Sequence, residues 1–259
     1  MPSAVQSIWE QEYAKPGLPS SQRAKPSNAS PFVLHALRAR VVPASARLLD
    51  IGCGSGRNAA YFANAGFEVH GIDFAAAAKR KFEDSVSRLT VERRPRFVLG
   101  RIDRILPFDT AYFDAAICFT TLENLTDDAH IENFKRELAR VLKPDGLFAV
   151  YFLTPDDEFY GPRVKTGPNG EKIVVAEDIG LTQRVFDGCE ILRLFAPPFS
   201  LDCSRDFSFE DIRFGVRYIR HLKAMVLMNS AGERASAEPV HRTVTLCRRN
   251  RENRHDADN

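Results

Sequence analysis

The chain has 259 residues, of which 44% are hydrophobic, 27% charged and 10% aromatic, ordinary globular values that exclude disordered, collagen-like and coiled-coil classes. Its 36 basic and 34 acidic residues leave a net charge of +2, too balanced to indicate nucleic acid from bulk charge. No run of about 18 apolar residues occurs and no basic segment precedes an apolar one at the start, so neither a membrane span nor a secretion signal is expected, and a cytoplasmic protein is. Val5, Ile8, Trp9 and Tyr13 recur at helical spacing and predict a short amphipathic opening helix. A loop rich in Pro, Ser and Gly follows. Ser30-Pro31 then carries helix-start chemistry ahead of an apolar face of Val33, Leu34, Leu37 and Val41.

From Arg47 to Phe152 strands and helices alternate. ARLLDIG is a short apolar run closed by glycine, a buried strand. RNAAYFANAG is a helix with Gly66 placed to cap it. FEVHGID is the second strand and AAAAKRKFEDSVSRL the next helix. RFVLGRID and YFDAAICFT are the third and fourth strands. Asp127 caps a helix whose stripe is Ile131, Phe134, Leu138, Val141 and Leu142. KPDG is a turn into the fifth strand, LFAVYFL. This alternation predicts an α/β fold with a mostly parallel, doubly wound sheet.

The rhythm changes after Leu153. RVKT and EKIVV flank GPNG and predict a hairpin. LTQRVFDG reads as a short helix and CEILRLF as a strand. SFEDIRFGVRYIRHLKAMVLMN fits a helix start and also alternates. TVTLCRR alternates and is expected to supply the last strand. The domain expectation is one domain over 1–259: an N-terminal helical cap (1–46), a core (47–153), covering insertions (154–230) and a flexible tail (248–259). The cysteines at 53, 118, 189, 203 and 247 are odd in number and contain no CxxC, so reduced thiols are expected, with no zinc site. The histidines at 35, 70, 130, 221, 241 and 255 show no ligand spacing, and no metal is expected.

LLDIGCGSGRN, residues 48–58, carries the most chemistry. Gly52, Gly54 and Gly56 sit between a strand and a helix, where glycine lets the backbone turn sharply and approach a ligand. The helix that follows points free N–H groups at that ligand. The dinucleotide fingerprint G-x-G-x-x-G is not met, since the third glycine comes one residue early, and no phosphate loop ending in GK[ST] occurs.

Glycines spaced G-x-G-x-G after an acid resemble the first motif of the class I S-adenosylmethionine-dependent methyltransferases, and the resemblance extends over residues 47–152. It implies a seven-stranded Rossmann-like fold and S-adenosylmethionine as cofactor, with S-adenosylhomocysteine as product. It implies roles for Asp50 at the end of the first strand, for Asp73 on the ribose hydroxyls and for Asp103 on the adenine amine. Ile102 and Phe74 would flank the adenine, and the carbonyls around Cys118 and Phe119 would receive the methionine ammonium. Cys53 and Asn58 fall within the same loop and helix start. Tyr13 would bring a hydroxyl near the methionine carboxylate, while Trp9 is read as core packing. IWEQEYAKPG and GSGRNAAYFANAGFEVHGID are loosely similar to the tellurite-resistance and thiopurine branches.

The reaction so implied is an in-line displacement that transfers methyl to a small-molecule acceptor. Positioning and exclusion of water supply most of the catalysis. A base is needed where the acceptor holds a proton. Glu123, Tyr160 and His221 are the candidates, with His130, Asp156, Asp157 and Glu158 as further titratable groups. Phe159, Tyr160, Phe199, Phe207 and Phe214 could line an apolar pocket, suiting an aromatic acceptor. On a helix, Arg213, Arg217 and Arg220 would share one face and hold an anion. RNA is the alternative acceptor, and a non-catalytic S-adenosylmethionine-binding module is the alternative to an enzyme.

Overall fold

The computed structural model describes residues 4–16, 25–40, 43, 45–176 and 180–230. In chain order the elements are α1 (Ala4–Ala14), α2 (Ser30–Ala39), β1 (Arg47–Ile51), α3 (Arg57–Asn64), β2 (Glu68–Asp73), α4 (Ala78–Val86), β3 (Arg96–Leu99), β4 (Phe113–Phe119), α5 (Asp128–Val141) and β5 (Leu142–Leu153). After them come β6 (Lys165–Thr166), β7 (Lys172–Ala176), β8 (Leu181–Arg184), α6 (Gly188–Phe195), β9 (Phe199–Arg213) and β10 (Val216–Asn229). The main sheet has seven strands in the order β3-β2-β1-β4-β5-β10-β9. β3 through β5 run parallel; β10 and β9 are antiparallel additions.

β1 is buried on both faces, as a central parallel strand covered on two sides must be. On one face Leu48, Ala115, Ile117 and Ala149 pack under α2, α3 and α4 through Leu37, Phe62 and Phe82. On the other, Leu49, Ala116, Phe148 and Val150 pack under α5 and α6 through Phe134, Leu138 and Phe195. The strand-then-helix rhythm of residues 47–153 is realised. Asp127 caps α5, accepting from the Ala129 N–H at 2.8 Å. KPDG lies inside the bounds of β5 yet remains a turn. The register jumps from Phe113 opposite Leu142 to Ala115 opposite Leu147, and Asp145 adopts φ +61°.

Three readings of the second half change. LTQR is strand β8, pairing with β7 in a small sheet β6-β7-β8. CEILRLF belongs to α6. Asp187 accepts from the Glu190 N–H at 2.8 Å as its cap, and Ile191, Leu192 and Phe195 form its buried face. SFEDIRFGVRYIRHLKAMVLMN is no helix. It is most of a long hairpin turning at Phe214-Gly215, with φ +50° and +78°. TVTLCRR, expected to supply the last strand, lies outside the described residues together with the tail. The GPNG hairpin is present as β6 and β7, with Lys165 opposite Ile173.

Two smaller corrections follow. Ser30 is the first residue of α2 rather than its cap, which is Ala29. Cys53, Cys118 and Cys203 are free thiols but Cys189 is disulfide-bonded, so five reduced cysteines were too many. Among the described residues no helix is long and apolar enough to cross a membrane.

Candidate active site

The loops after β1, β2, β4 and β5 all leave the carboxyl edge of the parallel strands, where ligands of open α/β sheets sit. The loop after β1 is built from three glycines in the left-handed region: Gly52 at φ +68°, Gly54 at +50° and Gly56 at +78°. The conformation alone requires glycine, and so does space. A Cβ on Gly52 would lie 2.2 Å from Thr121 Oγ1, in the loop after β4.

The two acids ending β1 and β2 are buried here. Asp73 accepts from Gly54 N–H and Ala75 N–H, each at 2.9 Å. It thereby ties the glycine loop to the β2–α4 connection. Burial pushes its carboxyl up to about 6 despite those bonds. Asp50 is lifted further, to about 7: burial outweighs the nearby Arg57 charge and an amide bond from Ala59. Its Oδ2 has no partner.

Glu123 lies in a 3₁₀ turn, Leu122–Asn124, after β4. It is fully buried rather than exposed at a helix entry. Its Oε1 accepts from Leu153 N–H at 3.0 Å, its Oε2 has no partner, and burial lifts its carboxyl to about 7. Tyr151, a residue of β5 that no motif singles out, is the third group. Its ring packs edge-on to Phe119 and Phe207 and its hydroxyl is buried without a partner. These three oxygens are the unpartnered buried side-chain N and O atoms among the described residues. The signal that could have found Tyr151 is its position two residues before the end of an otherwise apolar strand.

α1 lies across these loops. Glu10 accepts from the amides of Ala76 and Ala77 at 2.7 and 2.8 Å, and Gln6 donates to Phe74 O at 3.0 Å. Trp9 Nε1 donates to Asn124 Oδ1 at 3.4 Å, so the helix reaches from the β2 loop to the β4 loop. Trp9 and Tyr13 pack with Ala75, Ala78 and Leu181 of β8. The small sheet joins the cover: β8 packs on the turn that holds Glu123. Arg184, at its end, is buried between Asp128 at 2.5 Å and Glu190 at 2.6 Å.

Other expected residues are placed differently. β3 ends at Leu99, so Asp103 lies in the following turn and not on the strand. Arg101 grips it with two bonds, at 2.9 and 2.7 Å. Burial alone would raise its carboxyl, and this guanidinium holds it below the ordinary value. Ile102 and Phe74 are half-buried on the flanking loops. Cys118 and Phe119 end β4; the Phe119 carbonyl accepts from Thr120 Oγ1 at 2.8 Å and Thr121 Oγ1 at 3.3 Å. Cys53 is buried against Gly71, and burial drives its thiol far up, which makes it inert. Asn58 faces away from the loop. Its Oδ1 accepts from Ser27 N–H and Ser30 Oγ, and so seats α2.

Tyr160 is buried beneath the Arg220 guanidinium, 5.2 Å from the ring centre. His221 is half-buried on β10, 3.0 Å from Ser208 Oγ. Asp157 is structural. It takes Phe159 and Tyr160 amides on one oxygen and Arg220 Nε and His221 N–H on the other. Phe199 packs with Phe148 and Phe195 on the opposite sheet face, and Phe214 is 70% exposed, so the five aromatics share no pocket. The arginines form no clamp either. Arg217 pairs with Glu210, Arg213 with Asp211, and Arg220 with Asp157 and Asp211.

Residues 49–150 match the sequence profile of the family described as "Methyltransferase domain". A ubiquinone biosynthesis O-methyltransferase of Alkalilimnicola ehrlichii is 34% identical over 100 residues, 39% of this chain and 38% of that one. A 27-O-demethylrifamycin SV methyltransferase of Amycolatopsis mediterranei is 32% identical over 138 residues, 51% of this chain and 49% of that one. The chain spans about half or less of the length of the curated relatives it matches. Among solved structures, a Methanosarcina mazei S-adenosylmethionine-dependent methyltransferase superposes with TM-score 0.63 at 22% identity, over 74% of this chain and 96% of that one. A Burkholderia thailandensis 1,6-didemethyltoxoflavin N1-methyltransferase, solved with S-adenosylhomocysteine bound, superposes with TM-score 0.54 at 22% identity, over 78% and 79%. At such identities these two structures speak for the fold.

Proposed function

We propose that the chain is a class I S-adenosylmethionine-dependent methyltransferase, a reading supported by the match of residues 49–150 to a methyltransferase-domain profile, and that it transfers methyl to a small-molecule acceptor at the carboxyl edge of its sheet. The observation that carries this reading is the gathering of three unpartnered buried oxygens, those of Asp50, Glu123 and Tyr151, beside three left-handed glycines. Buried polar atoms left without partners are rare and costly. A carboxyl raised by burial, as that of Asp50 is, suits a cationic ammonium that would return it to the ionised form.

The residues present fit S-adenosylmethionine. The Gly52–Gly56 loop and the first amides of α3 take the methionine end, with Asp50 and the Phe119 carbonyl on its ammonium and Tyr13 of α1 above. Asp73, which takes the amides of Gly54, Phe74 and Ala75, keeps an acceptor site for a ribose hydroxyl. Phe74 and Ile102 flank the adenine, and Asp103, fixed by Arg101, accepts from its amine. When bound, S-adenosylmethionine supplies a methyl carbon activated by its positive sulfur and leaves as S-adenosylhomocysteine. The protein's part is to hold the two reactants in line and keep water out, which α1 and the small sheet do by closing over the loops.

The relatives named for ubiquinone biosynthesis and for a rifamycin support a small-molecule acceptor. An RNA acceptor loses its main support, because the arginines that suggested it are paired with carboxylates. The test is titration calorimetry with S-adenosylmethionine and S-adenosylhomocysteine, followed by transfer of labelled methyl to a metabolite panel and to total RNA. Binding of both nucleosides and label in the small organic fraction are expected. Absence of binding overturns the reading. Binding without any transfer makes the chain a binding module, and label in RNA, with binding that falls steeply with salt, moves the acceptor class.

A further inference from the structure

An unsatisfied buried donor or acceptor costs about 1–3 kcal/mol, so the residues bearing one point to what completes them. Of the three here, Asp50 closes β1 beside the glycine loop and belongs to the methionine end of the cofactor. Glu123 and Tyr151 remain. Glu123 is pinned through Oε1 to the Leu153 amide, which fixes where Oε2 points. Tyr151 lies two residues before Leu153 on β5, on the same face of that strand. Its ring is wedged between Phe119 and Phe207, with centroids 6.0 and 5.4 Å away, so its hydroxyl is held in place. The charge of Glu123 acts on Tyr151, yet the two do not bond to each other.

A carboxylate accepts and a phenol donates. A group that completes both must therefore donate one hydrogen bond and accept another. A hydroxyl does both well. An ammonium only donates, a tertiary amine only accepts, an arylamine donates but accepts poorly because its lone pair is drawn into the ring, and a thiol is weak in either role. The rings in contact with Tyr151, those of Phe119 and Phe207, are aromatic, which favours a hydroxyl carried on an aromatic ring.

We propose that Glu123 Oε2 and the Tyr151 hydroxyl together recognise a phenolic hydroxyl on the methyl acceptor, with Glu123 as the base that takes its proton. The proposal rests on the methyltransferase reading and names the chemistry of its acceptor. The acceptor oxygen forms a bond to the methyl carbon, and the carbon–sulfur bond breaks with its electron pair going to sulfur. The phenolic proton passes to Glu123 Oε2, so the positive charge of the sulfonium and the negative charge of the carboxylate disappear together. Tyr151 donates to the acceptor oxygen and aims a lone pair at the methyl.

The charged and titratable groups facing this pair are Arg57 from α3, Arg220 from β10, Asp157 from the connection after β5, and Asp50 and Cys118 from β1 and β4. Arg184 on β8 is neutralised by Asp128 and Glu190. Burial is the largest influence on Glu123 and holds its carboxyl at about 7, close to where a general base works best.

The test offers ring-matched phenols, anilines and thiophenols with labelled S-adenosylmethionine to the full chain. Methyl on the phenolic oxygen is expected. Glu123→Gln should lower kcat by about 100-fold or more and Tyr151→Phe by about tenfold, with S-adenosylhomocysteine affinity unchanged in both. The wild-type rate should rise between pH 6 and 8, and the Glu123→Gln profile should be flat. The protonated-carboxyl infrared absorption that titrates over the same range in the S-adenosylhomocysteine complex should lose one component in Glu123→Gln, with those of Asp50 and Asp73 left in place. If that variant does not fold, Tyr151→Phe and the wild-type infrared titration decide. Label on nitrogen or sulfur, no label on any of the three series, or variant rates equal to wild type (an ordered water bridging the pair) overturns the proposal. Failure of S-adenosylhomocysteine to bind overturns the methyltransferase reading itself, and this proposal with it.

Discussion

The molecule keeps its shape by different means on the two sides of β5. From β1 to β4 the active edge is set by backbone: three left-handed glycines, amides gathered onto Asp73, and a Thr121 side chain seated against Gly52. From Thr154 to β10 it is set by charge buried among side chains. Asp157 anchors the connection after β5 through four bonds, and Arg184 ties the small sheet to α5 and α6. Backbone demands show in a sequence as glycines at fixed spacing. Buried ion pairs do not, because their partners lie far apart in the chain, as Asp157 and Arg220 do.

The sharpest way to break this contrast is to remove a partner on the second side. Asp157→Ala leaves buried Arg220 with Asp211 alone and strips the Phe159, Tyr160 and His221 amides of their acceptor, and should cost about 3 kcal/mol of stability, read by denaturant unfolding. A loss below about 1 kcal/mol would mean that the pair is not what holds the connection. On the first side, Gly52→Ala forces a Cβ into Thr121 at positive φ. A cost of about 2–4 kcal/mol is expected, together with lost S-adenosylhomocysteine binding in calorimetry. Asp73→Ala should weaken that binding by about 1.5–3 kcal/mol, since it removes an acceptor and frees the loop.

A pH titration separates the two sides further. The folded carboxyls of Asp50 and Glu123 stand raised above their unfolded values. In the ligand-free protein their contribution to stability is present below about pH 4 and lost as pH rises through about 7. A cationic ligand prefers them ionised. The ammonium that Asp50 receives is common to both nucleosides, so it is the ionisation of Glu123 that should raise the affinity for S-adenosylmethionine relative to uncharged-sulfur S-adenosylhomocysteine, about tenfold between pH 6 and 8. A flat ratio would place the sulfonium away from these acids. The smallest effect belongs to Arg217→Ala on the hairpin. Its pair with Glu210 is exposed, and the change in stability should stay within about 0.5 kcal/mol.

Much of the first side was legible from residues alone. The alternation over 47–153 gave the parallel sheet, and the spacing of Gly52, Gly54 and Gly56 located the ligand loop. The exchange of helix and strand around residues 181–195 has a physical cause. Leu181 and Gln183 face inward because β7 is there to pair with them, a partner that local periodicity does not register. Asp187 with Glu190 was a readable cap that lost to the apolar run behind it. Glu123 was singled out as a candidate base, but its burial was not legible, since a carboxyl raised by burial leaves no trace in a motif. Tyr151 was hidden because a strand that is apolar throughout gives no reason to ask where one hydroxyl points.

The strap made by α1 has a kinetic consequence. With Glu10, Gln6 and Trp9 fastened to both loops, anything as large as a nucleoside must wait for that helix to lift. Rapid-mixing traces should then level off at high nucleoside concentration, at a ceiling that belongs to the protein's own breathing rather than to diffusion. Cutting the Glu10 tether with alanine should raise that ceiling and quicken escape in equal measure, leaving the chemistry downstream as it was.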